Sequence, residues 1–434
     1  MFRHRFVIPT NENVGASRVK GEDPCTYLCG NSLGLLPQPV QALVQQELRV
    51  WGSRAVQGHH DHPHGREWTN ITDHVRAKPE VACMGTLTAN LHLMMNTFYK
   101  PTPERYKLLC ESMAFPSDQY AFASQVKLHG FNPKDAIIEM FPREGEFCLR
   151  EEDILEVIER QGSSIALVIF SGVQYYTGQW FPMQSITKAA KAQGCICGWD
   201  LAHAIGNVPL SLHDWDVDWA VWCSYKYLNS GPGGIAGLYV HEKWDQDMPR
   251  YAGWWGHDPS TRFLMPPEFS PIRGAQGLQL SNPSVLGVAS LLGSLQVFRE
   301  AGMMRRLRVR SIELTAHLER LLVRSAYFVP PREAVERVPL YASPTDHAQR
   351  CHPAFTIITP PDANSRGSQL SLMFFSSDTG LMHKVHEGLI SYGVIGDERH
   401  PNVIRVAPTA LYNTEQDCEN VAKYLEEVLG ALDI

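Results

Sequence analysis

Lys226 sits in DWAVWCSYKYLNSGPGGIAGLYV (218–240), where an apolar, strand-like run ends in Ser224-Tyr225-Lys226 and a Gly/Pro-rich loop leads into a second apolar run. A lysine delivered at a strand end into a tight turn can be stripped of water, which lowers its pKa and makes the amine a nucleophile toward an aldehyde. Taken alone, the same pattern also describes an ordinary surface lysine beside a glycine loop. Twenty-six residues upstream, CICGWDLAHAIGN places Asp200 after another apolar run, with His203 three positions on. A carboxylate there is either a helix N-cap or the partner of a protonated pyridine nitrogen, the group that makes pyridoxal phosphate an electron sink. Asp200 and Lys226 at successive strand ends favour the second.

A phosphate site is legible further upstream. CMGTLTANLHLMMNTFYKPT, from Cys83, sets Gly85-Thr86-Leu87-Thr88 ahead of a helical pattern in which Leu91, Met94, Met95 and Phe98 recur at i, i+3, i+4 and i+7. The free N–H groups of a helix start and a threonine hydroxyl suit a phosphate dianion. Gly-Thr before a helix is common, however, and the Leu/Met stripe is core. Ala114-Phe115-Pro116-Ser117-Asp118 separates a strand-like run from the next helical stretch. Ser117 or Asp118 there is a plain N-cap, or Phe115 stacks on a planar ring with Asp118 near its nitrogen.

These residues need a scaffold that brings strand ends and helix starts together. Short apolar runs at 106–110, 136–141, 165–170, 195–199, 219–224 and 235–240 alternate with helical patterns such as 152–160 and 185–193. That alternation is the signature of βαβ units around a mostly parallel sheet. A long helical stretch follows at 285–323, interrupted near Gly302, and from Pro353 the runs FTIIT, QLSLMFF and VIRVAP predict a smaller α+β unit closed by a helix over Glu415–Leu432. The segment 329–349, rich in Pro, Arg and charge, reads as a surface excursion. The expected class is α/β, with a large domain over 51–298, a small C-terminal α+β domain over 299–434, and an N-terminal segment, 1–50, packing with the small domain.

The 434 residues are 44% hydrophobic and 20% charged, enough for more than one core and too apolar for a disordered chain. A net charge of −7 leaves no basic surface to neutralise a duplex, so no nucleic-acid partner is expected. No run approaches the roughly 20 apolar residues that span a bilayer, and the basic N-terminus lacks a following apolar region. Ten cysteines scatter without the spacing of a disulfide scaffold, which points to a cytoplasmic protein with no membrane partner. His59, His60, His62 and His64 crowd together, but no second ligand pair follows on another element, so no metal site is read there.

In chain order, YLCGNSLGLLP (27–37), GTLTANLHLM, AFPSDQYA, FSGVQYYTGQ (170–179), DLAHAIGNVPL, WCSYKYLNSGPGGIAG, GWWGH (253–257), LSNP (280–283) and IRVAPTALYN (404–413) resemble the kynureninase family of fold-type I pyridoxal phosphate enzymes, with coverage from about Phe6 onward. The resemblance implies a mostly parallel seven-stranded sheet in the large domain. It implies that Lys226 joins the cofactor's aldehyde, Tyr225 contacts the phosphate, Asp200 with Asp118 close by holds the pyridine nitrogen, and Phe115 stacks on the ring. Leu87, Thr88, Pro116, Ser117, Ser171 and His203 complete the implied cofactor site. Trp254 and Asn282 are implied to reach that site from a partner subunit, giving a homodimer with shared active sites. On the substrate side the resemblance implies Arg405 on the α-carboxylate, with His257, Asn282 and either His59 or His60 lining the pocket. Trp255 stands where a phenylalanine is expected.

The implied activity is hydrolysis of L-kynurenine or 3-hydroxy-L-kynurenine to L-alanine plus anthranilate or 3-hydroxyanthranilate, in tryptophan breakdown or NAD biosynthesis. One ring hydroxyl is too small a difference for the sequence to choose between the substrates. A cysteine desulfurase-like lyase is the alternative, and its mobile nucleophile would have to be Cys351. A binding protein that kept only the fold is a further alternative, but Lys226 and Asp200, whose loss would mark it, are both present.

Overall fold

The computed structural model describes residues 2–65, 79–246, 248–337, 352–376 and 380–433. In chain order it carries β1 (Phe6–Val7), β2 (Thr26–Tyr27), β3 (Leu36–Pro37), α1 (Gln38–Arg54), β4 (Val81–Cys83), α2 (Leu87–Phe98), β5 (Lys107–Glu111), α3 (Pro116–Leu128), α4 (Pro133–Ala136) and β6 (Ile137–Met140). There follow α5 (Glu151–Gln161), β7 (Ile165–Ser171), α6 (Met183–Ala192), β8 (Ile196–Asp200), β9 (Trp219–Trp222), β10 (Gly237–Val240), α7 (Val285–Glu300) and α8 (Met303–Leu322). The C-terminal part holds α9 (Pro331–Arg337), β11 (Ala354–Ile357), β12 (Leu370–Phe375), α10 (Leu381–Ser391), β13 (Val394–Ile395), β14 (Asp397–Arg399), β15 (Val403–Val406) and α11 (Glu415–Leu432).

Seven strands form the large sheet in the order β4-β10-β9-β8-β7-β5-β6. The neighbours from β9 to β6 pair in parallel, whereas β10 pairs antiparallel with both β9 and β4. The carboxyl ends of β4, β5, β7, β8 and β9 therefore share one edge, where ligands of open α/β sheets collect. Apolar clusters cover both faces, one around Trp199 and Phe170, the other around Trp219 and Leu167. Burial on both sides explains why β7 reads as an unbroken apolar run instead of an alternating one.

A second sheet, β11-β12-β15-β14, builds its own core with α8, α10 and α11. Residues near the N-terminus join this unit: β2 pairs with β13 and Asn413 Nδ2 donates to Tyr27 O at 2.8 Å. The three-residue β4 carries too little pattern to be read from sequence. Of the expected surface excursion over 329–349, residues 338–349 lie outside the described residues; in the described part 330–333 are exposed, while Val329 and Ala334 are buried against Ala354. Helix α9 starts with Pro331 and packs an alanine inward, which polar composition conceals. Among the described residues no helix is long and apolar enough to cross a membrane.

Candidate active site

A cavity of about 200 Å3 opens at the carboxyl edge of the large sheet. Leu87 and Thr88 enter it from the start of α2, Phe115, Ser117 and Asp118 from the start of α3, Ser171 from the end of β7, Asp200 from the end of β8, and Tyr225 and Lys226 from the turn after β9. Thr88 Oγ1 and Ser117 Oγ lie 2.7 Å apart, so the two helix starts face one spot. Neither Thr86 nor Phe115 caps its helix with a side chain, which leaves N–H groups free for an anion. The lysine turn is buttressed from the N-terminal segment, where Gly34 N donates to Tyr225 O at 2.8 Å. A Cβ at Gly34 would stand 2.4 Å from Lys226 O, so the backbone approach admits only glycine.

Lys226 Nζ lies 2.9 Å from His203 Nε2 and 5.7 Å from the centroid of Phe115. Burial holds the Lys226 amine below the ordinary lysine range, against the opposing pull of Cys223 and Asp200. His203 is pushed well below its usual value by burial and then by the charges of Lys226, Arg405 and Arg399. The neutral ring accepts from the lysine at Nε2 and keeps its proton on Nδ1, a buried atom with no partner. Asp200 accepts from Ala202 N at 2.6 Å and shares a hydrogen bond with Asp118. Burial raises both carboxyls, and the neighbouring Asp200 charge raises Asp118 further, so Asp118 holds the shared proton and Asp200 the charge. The other Asp118 oxygen, Oδ1, is buried without a partner. An amine, a strand-end carboxylate, two buried unpartnered atoms and two converging helix starts fit a flat pyridine aldehyde that carries a phosphate.

Pro116 opens α3 beside the cavity without lining it. Arg405, on β15, is fully buried: Nη2 pairs with Asp397, its register partner on β14, Nη1 donates to Tyr175 O at 2.8 Å, and Nε has no partner. It stands behind the cavity wall, yet its charge reaches Lys226 and His203. The chain does not bring Trp254, His257, Asn282 or His59 to this cavity. Trp254 is 43% exposed with Nε1 donating to Arg262 O at 3.2 Å, and Asn282 is exposed. His59 lies on a separate cavity with Trp51, His62 and Leu286, and His60 beside it is exposed. His257 is buried in its own loop, Nε2 3.0 Å from Thr261 Oγ1 and Nδ1 accepting from Ser270 N at 3.1 Å. Sequence reasoning missed Val173, Tyr175 and Ala202 in the wall, and Glu111 behind it. Only Glu111 left a signal, as the acidic residue that follows the apolar run Leu108–Cys110.

One His/carboxylate group gathers at the opposite end of the sheet, where Glu80 lies 3.0 Å from His213 Nδ1 and 3.6 Å from His241 Nδ1. The two imidazoles stack with centroids 4.7 Å apart and planes 21° apart. A ring nitrogen's lone pair lies in the ring plane, so stacked planes cannot both aim at one ion, and the group reads as an ion-pair network.

Two family models match the chain, Aminotransferase class-V over residues 132–257 and the Kynureninase C-terminal domain over residues 339–425. The kynureninase of Yarrowia lipolytica is 46% identical, covering 100% of this chain and 98% of its own. That of Nematostella vectensis is 49% identical over 93% of this chain and 85% of its own, and that of Saccharomyces cerevisiae is 45% identical over 99% and 97%. Among solved structures, a cysteine desulfurase from Escherichia coli is similar with a TM-score of 0.72 at 15% identity, covering 99% of this chain and 98% of that one. A variant of C-DES with glycine covalently linked to its pyridoxal phosphate cofactor is similar at 0.70 and 16%, covering 93% and 96%. Likeness at such identities is one of fold.

Proposed function

The chain belongs to the kynureninase family, and from that premise we propose that the cavity around Lys226 is where it cleaves kynurenines. The enzyme is a pyridoxal phosphate-dependent hydrolase of a carbon–carbon bond. Water is added across Cβ–Cγ of L-kynurenine or its 3-hydroxy form: oxygen joins the ketone carbon, which leaves as anthranilate or 3-hydroxyanthranilate, and a proton joins Cβ, which leaves in L-alanine. The desulfurase-like neighbours share the fold alone, and Cys351, the residue that reading requires, lies outside the described residues.

Pyridoxal phosphate supplies an aldehyde for the substrate amine and a pyridinium ring that withdraws electron density from the substrate carbons. Lys226 would hold the aldehyde, and its amine, which burial keeps below the ordinary lysine range, would serve as the base for the substrate Cα proton. Asp200 would hold the proton on the pyridine nitrogen, with Asp118 bracing its carboxylate. Thr88, Ser117, Tyr225 and the starts of α2 and α3 would hold the phosphate and Phe115 would cover the ring, while Arg405, bonded to Tyr175 in the cavity wall, would bind the α-carboxylate. The observation that carries the reading is a half-buried lysine whose amine lies 2.9 Å from His203 Nε2, across one cavity from Asp200. Lys226→Ala should lose the visible absorption of lysine-bound cofactor and turnover together. A colourless wild-type protein, inactive after cofactor is added, would refute the reading.

The residues left outside support a homodimer. Trp254 and Asn282 do not line the cavity around Lys226, and Phe263, Leu264 and Met265 beside Trp254 are 64%, 76% and 67% exposed. Such a patch supports an interface that carries these residues to a second subunit's site. Mixing Lys226→Ala with an impaired Asn282→Ala protein should restore about a quarter of the active sites if subunits exchange at random. Demonstrated exchange without recovery would count against sharing. The nine described cysteines are free, which supports a cytoplasmic location.

A further inference from the structure

Behind the cavity lies a carboxyl group that the reaction as derived above does not use. Glu111 ends β5, is 3% exposed, and does not line the cavity. Its carboxylate accepts from Ser171 N at 3.2 and 3.3 Å and from Ser171 Oγ. Ser171 is the cavity residue at the end of β7, paired in register with Asp200 on β8. Glu111, Ser171 and Asp200 thus stand on three adjacent strand ends, and apart from its own backbone N–H the donors to Glu111 among the described residues both belong to Ser171, the residue between it and the cofactor cavity.

A hydroxyl has a single hydrogen to give. While Glu111 is ionised it claims the Ser171 Oγ hydrogen, and Ser171 then turns only lone pairs toward the cavity. When Glu111 takes a proton from water, its own O–H can donate to Ser171 Oγ, and the serine hydrogen is free to point into the cavity. We infer that Glu111 is a positioning residue whose proton decides whether Ser171 offers the cofactor a donor or an acceptor.

The surroundings favour such a change near neutral pH. The charged groups facing Glu111 are acidic: Asp200 from β8 and Asp118 from α3, with Glu139 of β6 reaching the adjoining Cys110. Lys226 acts on the two aspartates across the cavity. Burial, opposed by the Ser171 bonds and aided by Asp200, pushes the Glu111 carboxyl up to about 7. Lower pH therefore gives neutral Glu111, a donor at Ser171 and one negative charge fewer beside an anionic cofactor. Both effects favour binding.

The inference rests on the reading that pyridoxal phosphate occupies this cavity, and its test is equilibrium binding of pyridoxal phosphate to the apoprotein between pH 6 and 8. Wild-type affinity should tighten about five- to tenfold more toward pH 6 than that of Glu111→Gln, whose amide does not titrate there. Ser171→Ala should lose the donor's share of that increment and keep the charge's share, which adding Glu111→Gln should then remove. If Glu111→Gln does not fold, the flattened profile of Ser171→Ala carries the test alone. Parallel profiles for wild type and variants would overturn the inference while leaving the cofactor site intact. Failure of the wild type to bind pyridoxal phosphate at any pH would overturn the underlying reading as well.

Discussion

Replacing Arg405 by lysine separates charge from shape at the small-domain side of the site. The guanidinium is 1% exposed and already engaged twice, to Asp397 and to the Tyr175 carbonyl at 2.8 Å, with Nε still free. Its rigid fork can keep those bonds and still meet a substrate carboxylate with its remaining hydrogens. A lysine ammonium has three hydrogens on one atom and cannot span Asp397, Tyr175 and the substrate at once. Hydrogen bonds to charged groups contribute about 1.5–3 kcal/mol each. Losing the second substrate bond and straining the first should cost about 2–4 kcal/mol, or roughly 30- to 1000-fold in kcat/KM. The positive charge is retained, so the pH profile governed by Lys226 should stay in place. Arg405→Ala removes a charge that helps lower Lys226, so there the profile should move to higher pH. Steady-state kinetics with L-kynurenine and a cofactor titration on the same preparations measure both. Because Arg405 does not line the cofactor cavity, Arg405→Lys should hold pyridoxal phosphate normally. Loss of cofactor, or nearly full kcat/KM, would show that Arg405 is structural and that another group binds the carboxylate.

Gly34→Ala places a Cβ 2.4 Å from Lys226 O and 2.8 Å from Asn229 Cα, so the lysine turn must shift; we expect about 2 kcal/mol or more of destabilisation and weaker cofactor retention. Gly52→Ala, on the exposed face of α1 with nothing within 4 Å, is the control and should leave cofactor retention unchanged. Thr414→Ala removes the capping box of α11, in which Asp417 N donates to Thr414 Oγ1 at 3.1 Å, and should cost about 1 kcal/mol in thermal or denaturant unfolding with turnover unchanged. A fall in turnover at full cofactor occupancy would tie α11 to the site.

The sequence by itself determined whatever depends on local pattern. β7 carries six continuous apolar residues before Ser171 because both its faces are covered, and α11 runs from its capping box to Leu432, as periodicity predicts. Lys226 and Asp200 were legible for the same reason, since a polar residue that ends an apolar run projects from the edge of a sheet. What tertiary structure alone decided is convergence. Nothing local shows that Gly34 packs against the Lys226 backbone, that Asp397 and the Tyr175 carbonyl occupy Arg405, or that Glu111 reaches the cavity only through Ser171. Each joins segments between 8 and about 230 residues apart, and their meeting is set by strand order and register. A sequence pattern tells which face of an element is buried. Which carboxyl meets which donor there depends on how neighbouring strands are stacked, and that stacking, through burial and proximity, sets the protonation of the site.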